Sequence, residues 1–375
     1  MYRIGLTGLG LLIAMAESTS SVVADEGSLL TPGMLGQLTG TPVTGWAEAG
    51  WGHDFGGSSP TGDGLRGGND NNQFGVNQVG LDLNSSAGGD KSVGHRVTFV
   101  HGSEAGALGG SGDYAWTNAN VQWVLPAGIP GLSGGKLTLG IFESPLGGES
   151  IYGNGNDHVT RGHVSQNTDP ISHTGVMVEK AIVSGADGAV ASGRLGLVNA
   201  DGESPSWLVG VDYAGLAGID LSLNVLHDAG TNDDTTFDLG VTMDVPGALA
   251  DVVSLLGDTS IGGHLVWGED DEFGFSTGAR YDFGLPLLGD DGSTKNWYLA
   301  ARYGNYDAAS GPDNDAWGLT TTLGYQAADN LLLRIEYRWD RANGGLGAPG
   351  EETDAEGNTF ATRGEDDNQS TLNFN

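Results

Sequence analysis

The stretch NLLLRIEYRWDR, residues 330–341, alternates between apolar and polar side chains. One parity carries Leu331, Leu333, Ile335, Tyr337 and Trp339, and the other carries Leu332, Arg334, Glu336, Arg338 and Asp340. A period of two residues is typical of a β-strand, whose side chains point alternately to its two faces. One face of this strand is therefore apolar and ends in two aromatic rings, whereas the other face is charged.

The composition limits what the apolar face can be buried against. The chain has 375 residues with a formal net charge of −33, and 67 of its residues are glycine. Hydrophobic residues make up only 38%, which is little for a soluble core, yet nine Trp and ten Tyr are too many for a disordered acidic chain. The absence of cysteine excludes disulfides and thiolate metal sites. The negative charge argues against nucleic acid as a partner, because phosphates need cationic side chains.

The N-terminus has the pattern of a secretory signal. Arg3 precedes an apolar run over residues 4–16, and Val22-Val23-Ala24 offers a cleavage site before Asp25. The run of about 13 residues is shorter than the roughly 20 that a membrane-spanning helix needs. The sequence therefore predicts a signal peptide over residues 1–24, followed by a periplasmic N-terminal segment over 25–42.

The alternation recurs in about sixteen segments, which predict strands. They lie near 43–52, 74–84, 95–102, 115–125, 136–142, 173–180, 193–200, 206–213, 220–228, 235–244, 260–268, 272–282, 296–304, 316–325, 331–340 and 370–375. Residues 246–258 alone read as a short amphipathic helix.

A soluble β-sandwich would alternate as well, but three features favour a membrane barrel. The polar parity is rich in Gly, Asn, Asp, Thr and Arg, which suits a wet interior. Most segments have the length of a tilted membrane strand, and the three longest connections, 53–73, 143–172 and 341–369, all follow odd-numbered strands. The sequence thus predicts an all-β fold over residues 43–375: a transmembrane antiparallel up-and-down β-barrel of about 16 strands.

The tryptophans support this interpretation, since all nine fall in predicted strands. In the predicted topology, six lie near the extracellular ends (Trp51, Trp116, Trp207, Trp267, Trp317 and Trp339) and three near the periplasmic ends (Trp46, Trp123 and Trp297). Amphipathic rings concentrate at the two bilayer interfaces, so the pattern predicts the aromatic girdles of an outer-membrane barrel. The apolar face of residues 331–339 would then be buried against lipid.

Sixteen strands enclose a water-filled lumen. The inward parity selects ten candidate pore-lining residues: Arg96, Arg194, Arg280, Arg302, Arg334, Arg338, Glu48, Asp82, Asp238 and Glu336. Two interpretations remain open, because these charges could pair with one another to hold the wall or could filter ions at a constriction.

The connection 143–172 is a candidate constriction loop. Pro145 and Gly147 at its entry would let it fold sharply inward, and it carries Glu143, Glu149, Asp157, Arg161 and Asp169. A loop of about 30 residues is more often functional than idle. We expect it to narrow the lumen opposite the basic wall of Arg302, Arg334 and Arg338; the alternative is a surface loop that folds outward.

Three stretches carry a resemblance to a known family: NNQFGVNQVGLDLN (71–84), GIFESPLGGESIYG (140–153) and DPISHTGVMVEKA (169–181). With them the chain resembles the OmpL-like family of outer-membrane β-barrel porins. The resemblance implies a channel in the bacterial outer membrane for passive diffusion of small hydrophilic solutes or ions. It also implies outer-membrane lipid as surroundings, an assembly of three copies and no catalytic site.

Other chemistry has weak support in the sequence. The eight histidines form no metal-binding spacing and no nucleophile or nucleotide fingerprint occurs, so we expect no enzyme, no cofactor and no metal site. The acidic stretches 268–274 and 363–369 could bind calcium but lack the fixed spacing of a calcium loop. The alternative function is therefore a secreted or surface-attached β-rich adhesin or binding module with acidic, calcium-binding loops.

Overall fold

The computed structural model describes residues 41–54, 74–88, 92–110, 113–185, 188–199, 205–216, 218–228, 234–245, 259–268, 272–285, 295–307, 315–344, 350–353, 359–362 and 364–374. The predicted signal peptide, nearly all of the predicted periplasmic segment and the predicted helix 246–258 lie outside these residues.

The described chain consists mostly of β-strands. They are β1 Val43–Asp54, β2 Phe74–Ser85, β3 Val93–His101, β4 Tyr114–Val124, β5 Lys136–Glu143, β6 Ser172–Gly185, β7 Gly188–Asn199, β8 Pro205–Leu216, β9 Ile219–Asp228, β10 Asp234–Asp244, β11 Thr259–Trp267, β12 Phe273–Phe283, β13 Trp297–Asp307, β14 Asp315–Ala328, β15 Leu331–Gly344, β16 Gly350–Thr353, β17 Thr359–Thr362 and β18 Gly364–Phe374. Between β5 and β6 lie a 3-10 turn, Gly153–Gly155, and one short helix, α1 His163–Asn167. Among the described residues, no helix is long and apolar enough to cross a membrane.

The strands close into an antiparallel barrel. β1 to β15 pair in sequence order, β18 pairs with β15, and β18 completes the ring by pairing with β1. The predicted up-and-down barrel of about 16 strands is confirmed. β16 and β17 form a separate two-stranded hairpin within the connection 341–369, which the sequence pattern does not indicate.

The closing strand β18 begins six residues earlier than the predicted segment 370–375. Its first half, GEDDNQ, has no apolar alternation, so period-two analysis misses it. This half is a strand because it pairs with β15, in a register that runs from Ile335↔Phe374 to Gly344↔Gly364. The seam with β1 is shorter and runs from Trp51↔Phe374 to Asp54↔Thr371.

The two faces of β15 separate as predicted. Ile335, Tyr337 and Trp339 point outward and are 45%, 47% and 39% exposed, whereas the alternate residues from Arg334 to Asp340 are buried inside. Large apolar side chains are likewise exposed on the outer surface of most other strands. The outer surface is therefore a lipid-facing one, and the inner surface is polar.

One tryptophan departs from the predicted girdle. Trp46 shares its parity with the inward residue Glu48, and its Nε1 donates a hydrogen bond to Gln78 Oε1 at 3.1 Å. Its ring also meets Tyr152 edge-on, with centroids 4.8 Å apart. The assignment of Trp46 to the lipid interface is therefore wrong, because strand parity places its ring inside the barrel. Trp116, Trp123 and Trp207 do point outward.

Candidate functional site

The connection between β5 and β6, residues 144–171, crosses the inside of the barrel, and we call it the crossing loop. Its backbone meets lumen-facing side chains on opposite parts of the wall. Gly153 N lies 3.3 Å from Gln78 Oε1 on β2, Gly147 N lies 3.0 Å from Asp238 Oδ2 on β10, and Val159 N lies 2.6 Å from Glu336 Oε2 on β15. An outward surface loop could not reach all three strands.

Glu336 holds the middle of the crossing loop against β15. This carboxylate has no exposed surface, and it accepts hydrogen bonds from Val159 N at 2.6 Å and Thr160 N at 3.2 Å. The Thr160 hydroxyl donates a third at 2.7 Å. Hydrogen bonds to a buried charge are among the stronger ones in proteins, so Glu336 acts as an anchor for this segment.

Arginines bind the carbonyl oxygens of the same loop. Arg334 Nη1 donates to the carbonyls of Gly153, Asn156 and His158 at 3.0–3.1 Å. Arg338 donates to the Arg161 carbonyl, and Arg302 pairs with Glu149. Glu48 also lies beneath the loop, in an ion pair with Arg334 at 3.2 Å.

This packing corrects part of the sequence-based prediction. The side chains of Arg302, Arg334, Arg338, Glu336 and Glu48 lie on the inner face, as their parity indicates, but they are buried against the crossing loop. The crossing loop lies directly on the basic wall, not opposite it. The loop packs on this wall because the guanidinium groups donate hydrogen bonds to its backbone carbonyls, which would otherwise be buried inside the barrel without a partner.

Apolar and polar contacts fill the lumen beside β1–β5. The connection after β3 also turns inward, where Ala105 and Leu108 pack with Val100, Ala115 and Ile151. Nearby, the Tyr152 hydroxyl donates to Glu143 Oε1 at 2.8 Å. The remaining predicted charges of this region pair with each other: Arg96 lies 3.1 Å from Asp82 and 2.8 Å from Glu143. Side chains from the wall and from two connections therefore pack together in this part of the lumen.

A cavity of about 600 Å³ remains on the other side, between the crossing loop and β8–β13. Small side chains from four neighbouring strands make room for it: Ser222, Gly240, Ser260, Gly262, Ser276 and Gly278. Arg280 reaches this space, stacked over Tyr298 and paired with Asp157 at 2.6 Å. Arg194 pairs with Asp212, which also lines the cavity.

The far end of the crossing loop carries the remaining predicted residues. Asp169 lies beside Asp238 of β10 and His264 of β11, and Asn224 Nδ2 donates to Asp238 Oδ1 at 3.1 Å. Arg161 is buried within the loop and donates to the Ser165 carbonyl. The structure therefore places Glu149, Asp157, Arg161 and Asp169 inside the barrel, whereas Glu143 ends β5.

Burial shifts the titration of the loop side chains. Desolvation, with the positive charge of Arg302 as the next cause, lowers the pKa of His158 to about 3. Desolvation likewise lowers the pKa of His163 and raises the pKa of the Asp169 carboxyl. At neutral pH the two histidines are therefore uncharged, and His158 bonds Thr322 Oγ1 through Nδ1 at 2.8 Å.

Sequence reasoning missed several of these contacts. His158, His163, His264, Asn224 and Gln78 have no informative spacing, because each meets partners that are distant in the chain. The inward parity of the strand residues was the available signal. The acidic stretches 268–274 and 363–369 include residues outside the described chain, and calcium binding there stays a prediction.

Comparison with known proteins gives a consistent picture. Residues 40–310 match the profile of a family described as "Putative beta-barrel porin-2, OmpL-like". No curated protein matches the sequence. Among solved structures, an anion-selective porin from Comamonas acidovorans is 13% identical with a TM-score of 0.54, and the match covers 89% of this chain and 97% of that chain.

Two further solved structures are similar over the same share of the chain. OmpF of Salmonella typhi, in complex with daunomycin, is 12% identical with a TM-score of 0.53, covering 89% of this chain and 97% of the other. The outer membrane channel DcaP of Acinetobacter baumannii is 11% identical with a TM-score of 0.51, covering 89% and 96%. At such low identity these three likenesses show the shared fold alone.

Proposed function

The chain belongs to the OmpL-like β-barrel porin family, and from that premise we propose that its solutes pass between the crossing loop and the wall of β8–β13. A porin of this family is a channel of the bacterial outer membrane, and the closed sixteen-strand barrel accords with passive diffusion of small hydrophilic solutes or ions.

The cavity is the observation that carries the proposed path. Along β1–β5 and β13–β15 the crossing loop and its anchors pack against the inner wall. Along β9–β12 the inward side chains are glycine and serine at mid-height, and the cavity lies in front of them. This cavity offers space for a hydrated solute on that side of the barrel.

The charges around the cavity favour cations. Asp220 and Asp244, both exposed, border it, as do Asp157 and Asp212. The arginines that reach it, Arg280 and Arg302, are each paired with a carboxylate. Rings of carboxylates select for cations in other channels, so we infer a preference for small cations and uncharged hydrophilic molecules.

Narrowing the cavity tests the path. A Cβ added at Gly240 would meet Ser222 Cβ at 3.7 Å, an ordinary contact, so a larger side chain can be placed there. Gly240→Tyr should lower the single-channel conductance in planar bilayers several-fold. Leu239→Tyr, one residue away on the lipid face, is the matched control and should conduct normally. Normal conductance in Gly240→Tyr would place the path elsewhere.

Nothing in the described geometry calls for an enzyme activity, and we propose that the protein acts as a channel without one. The homotrimer implied by the family resemblance is tested by cross-linking in native outer membranes, where three subunits should be captured together.

A further inference from the structure

Two carboxylates and an imidazole meet where the crossing loop returns to the wall. His264 Nε2 lies 2.6 Å from Asp238 Oδ2 and 3.7 Å from Asp169 Oδ1. One donor atom from each residue lies within 4.8 Å of the other two. All three side chains are only 3–4% exposed. The cluster joins three separate elements, namely the crossing loop, β10 and β11.

One carboxylate of this cluster is incompletely hydrogen-bonded, since only Asp169 Oδ1 accepts a hydrogen bond, from Thr168 Oγ1 at 3.1 Å. Two carboxylates face one imidazole, and Asp169 Oδ2 is buried with no hydrogen-bond partner among the described residues. Arg161 acts on Asp169 electrostatically, but its guanidinium donates to the Ser165 carbonyl. A buried carboxylate oxygen without a partner is costly. A cation bound at the cluster would remove that cost.

We propose that Asp169, Asp238 and His264 bind a divalent transition-metal ion of the zinc type. One imidazole nitrogen and two carboxylate oxygens are a donor set that such ions take. Ligands held about 2.1 Å from a tetrahedral ion lie about 3.4 Å apart. The two distances from His264 Nε2, 2.6 and 3.7 Å, lie on either side of that value. Small side-chain movements would therefore form the site.

The surroundings of the cluster suit a metal site. Asn224 Nδ2 and the Gly147 amide hold the Asp238 carboxylate at 3.1 and 3.0 Å, which fixes its orientation. His264 also borders the cavity, so an ion can enter from the lumen and a water molecule can complete its coordination. Because Asp169 belongs to the loop and the other two ligands to the wall, the ion would fasten the loop beside the cavity.

Zinc titration of the purified, metal-stripped barrel in detergent tests the site. The wild-type protein should bind one Zn²⁺ per chain in competition with a chromophoric chelator. His264→Gln and Asp169→Asn should each weaken that binding at least about tenfold. His227→Gln is the matched control, since this strand histidine bonds Thr235 outside the cluster, and it should bind as the wild type does. Heat-modifiable migration in gels verifies that each variant is folded.

Three outcomes would overturn the proposal. The first is the absence of Zn²⁺ binding by the folded wild-type protein. The second is unchanged affinity in both His264→Gln and Asp169→Asn, which would place the bound ion elsewhere on the acidic surface. The third is equal binding of Mg²⁺ and Zn²⁺, since a nitrogen-containing site should favour the transition metal.

Discussion

Glu336 shows how one residue decides whether the crossing loop stays in place. It is fully buried, and three donors from Val159 and Thr160 converge on it. Glu336→Ala leaves those donors without an acceptor, so we expect the free energy of unfolding to fall by about 3 kcal/mol or more. Released loop segments should also increase current noise in single-channel records.

A second glutamate provides the control for that change. Glu179 forms an ion pair with Lys136 at 3.6 Å, and both side chains are more than one-third exposed. Glu179→Ala should cost less than about 1 kcal/mol, because exposed pairs contribute little. If denaturant unfolding gives equal losses for the two variants, Glu336 does not anchor the loop.

His158 makes the loop sensitive to acid. Its pKa of about 3 lies below the unfolded value of about 6.5, so the unfolded chain binds more protons between these values. The stability that neutral His158 contributes is complete above pH 6.5 and is lost progressively as the pH falls toward 3. Between pH 7 and pH 5 the loss should be about 2 kcal/mol.

The variant His158→Asn isolates this contribution. The amide can replace Nδ1 as a partner of Thr322 Oγ1 but does not titrate. Denaturant unfolding at pH 7 and pH 5 should give a smaller pH-dependent loss in the variant than in the wild-type protein. An identical pH dependence in both proteins would show that other groups are responsible.

At the scale of one strand, β10 separates the lipid face from the lumen face. Leu239 lies on the outward parity, and Thr242 borders the cavity. Leu239→Arg should impair insertion by about 2–4 kcal/mol, because it places a charge against the bilayer core. Thr242→Arg should be tolerated, since its guanidinium would meet water. Folding yields into lipid vesicles measure the difference, and equal yields would contradict the assigned faces.

The elements also show what a sequence can predict. The period-two pattern locates β1 to β15 because each strand must separate lipid from lumen, a local requirement that every second residue records. β18 is an exception, because its first half, GEDDNQ, has no alternating pattern and forms a strand through its pairing with β15. The inward course of the crossing loop depends on contacts such as Gly147 with Asp238, 91 residues apart. Such pairings leave no periodic trace.

For the whole molecule, the distribution of charge matters more than its sum. The chain carries a net charge of −33, yet most inner arginines are paired, and Arg334 and Arg338 are sealed beneath the crossing loop. Their burial favours the interpretation in which these charges pair to stabilise the wall over the one in which they filter ions. Their positive charge is balanced by Glu48 and Asp340 and separated from the cavity by the loop.

Ion preference can be divided into a distant and a local contribution by changing the salt concentration. Carboxylates far from the path act over the Debye length, which falls from about 10 Å at 0.1 M to about 3 Å at 1 M. Asp220 and Asp244 border the cavity itself, so their attraction for cations should survive at 1 M. Reversal potentials in potassium chloride gradients should therefore show cation preference at both concentrations, weaker at the higher one.

Neutralising the two cavity aspartates tests the local contribution. Asp220→Asn combined with Asp244→Asn should remove most of the cation preference at 1 M, while some remains at 0.1 M from the rest of the acidic chain. Asp82→Asn is the matched control, because Asp82 pairs with Arg96 away from the cavity and its loss should leave the reversal potential nearly unchanged. Anion preference in the wild-type channel at 1 M would refute the acidic path. An unaltered reversal potential in the double variant would mean that ions do not pass beside these two carboxylates.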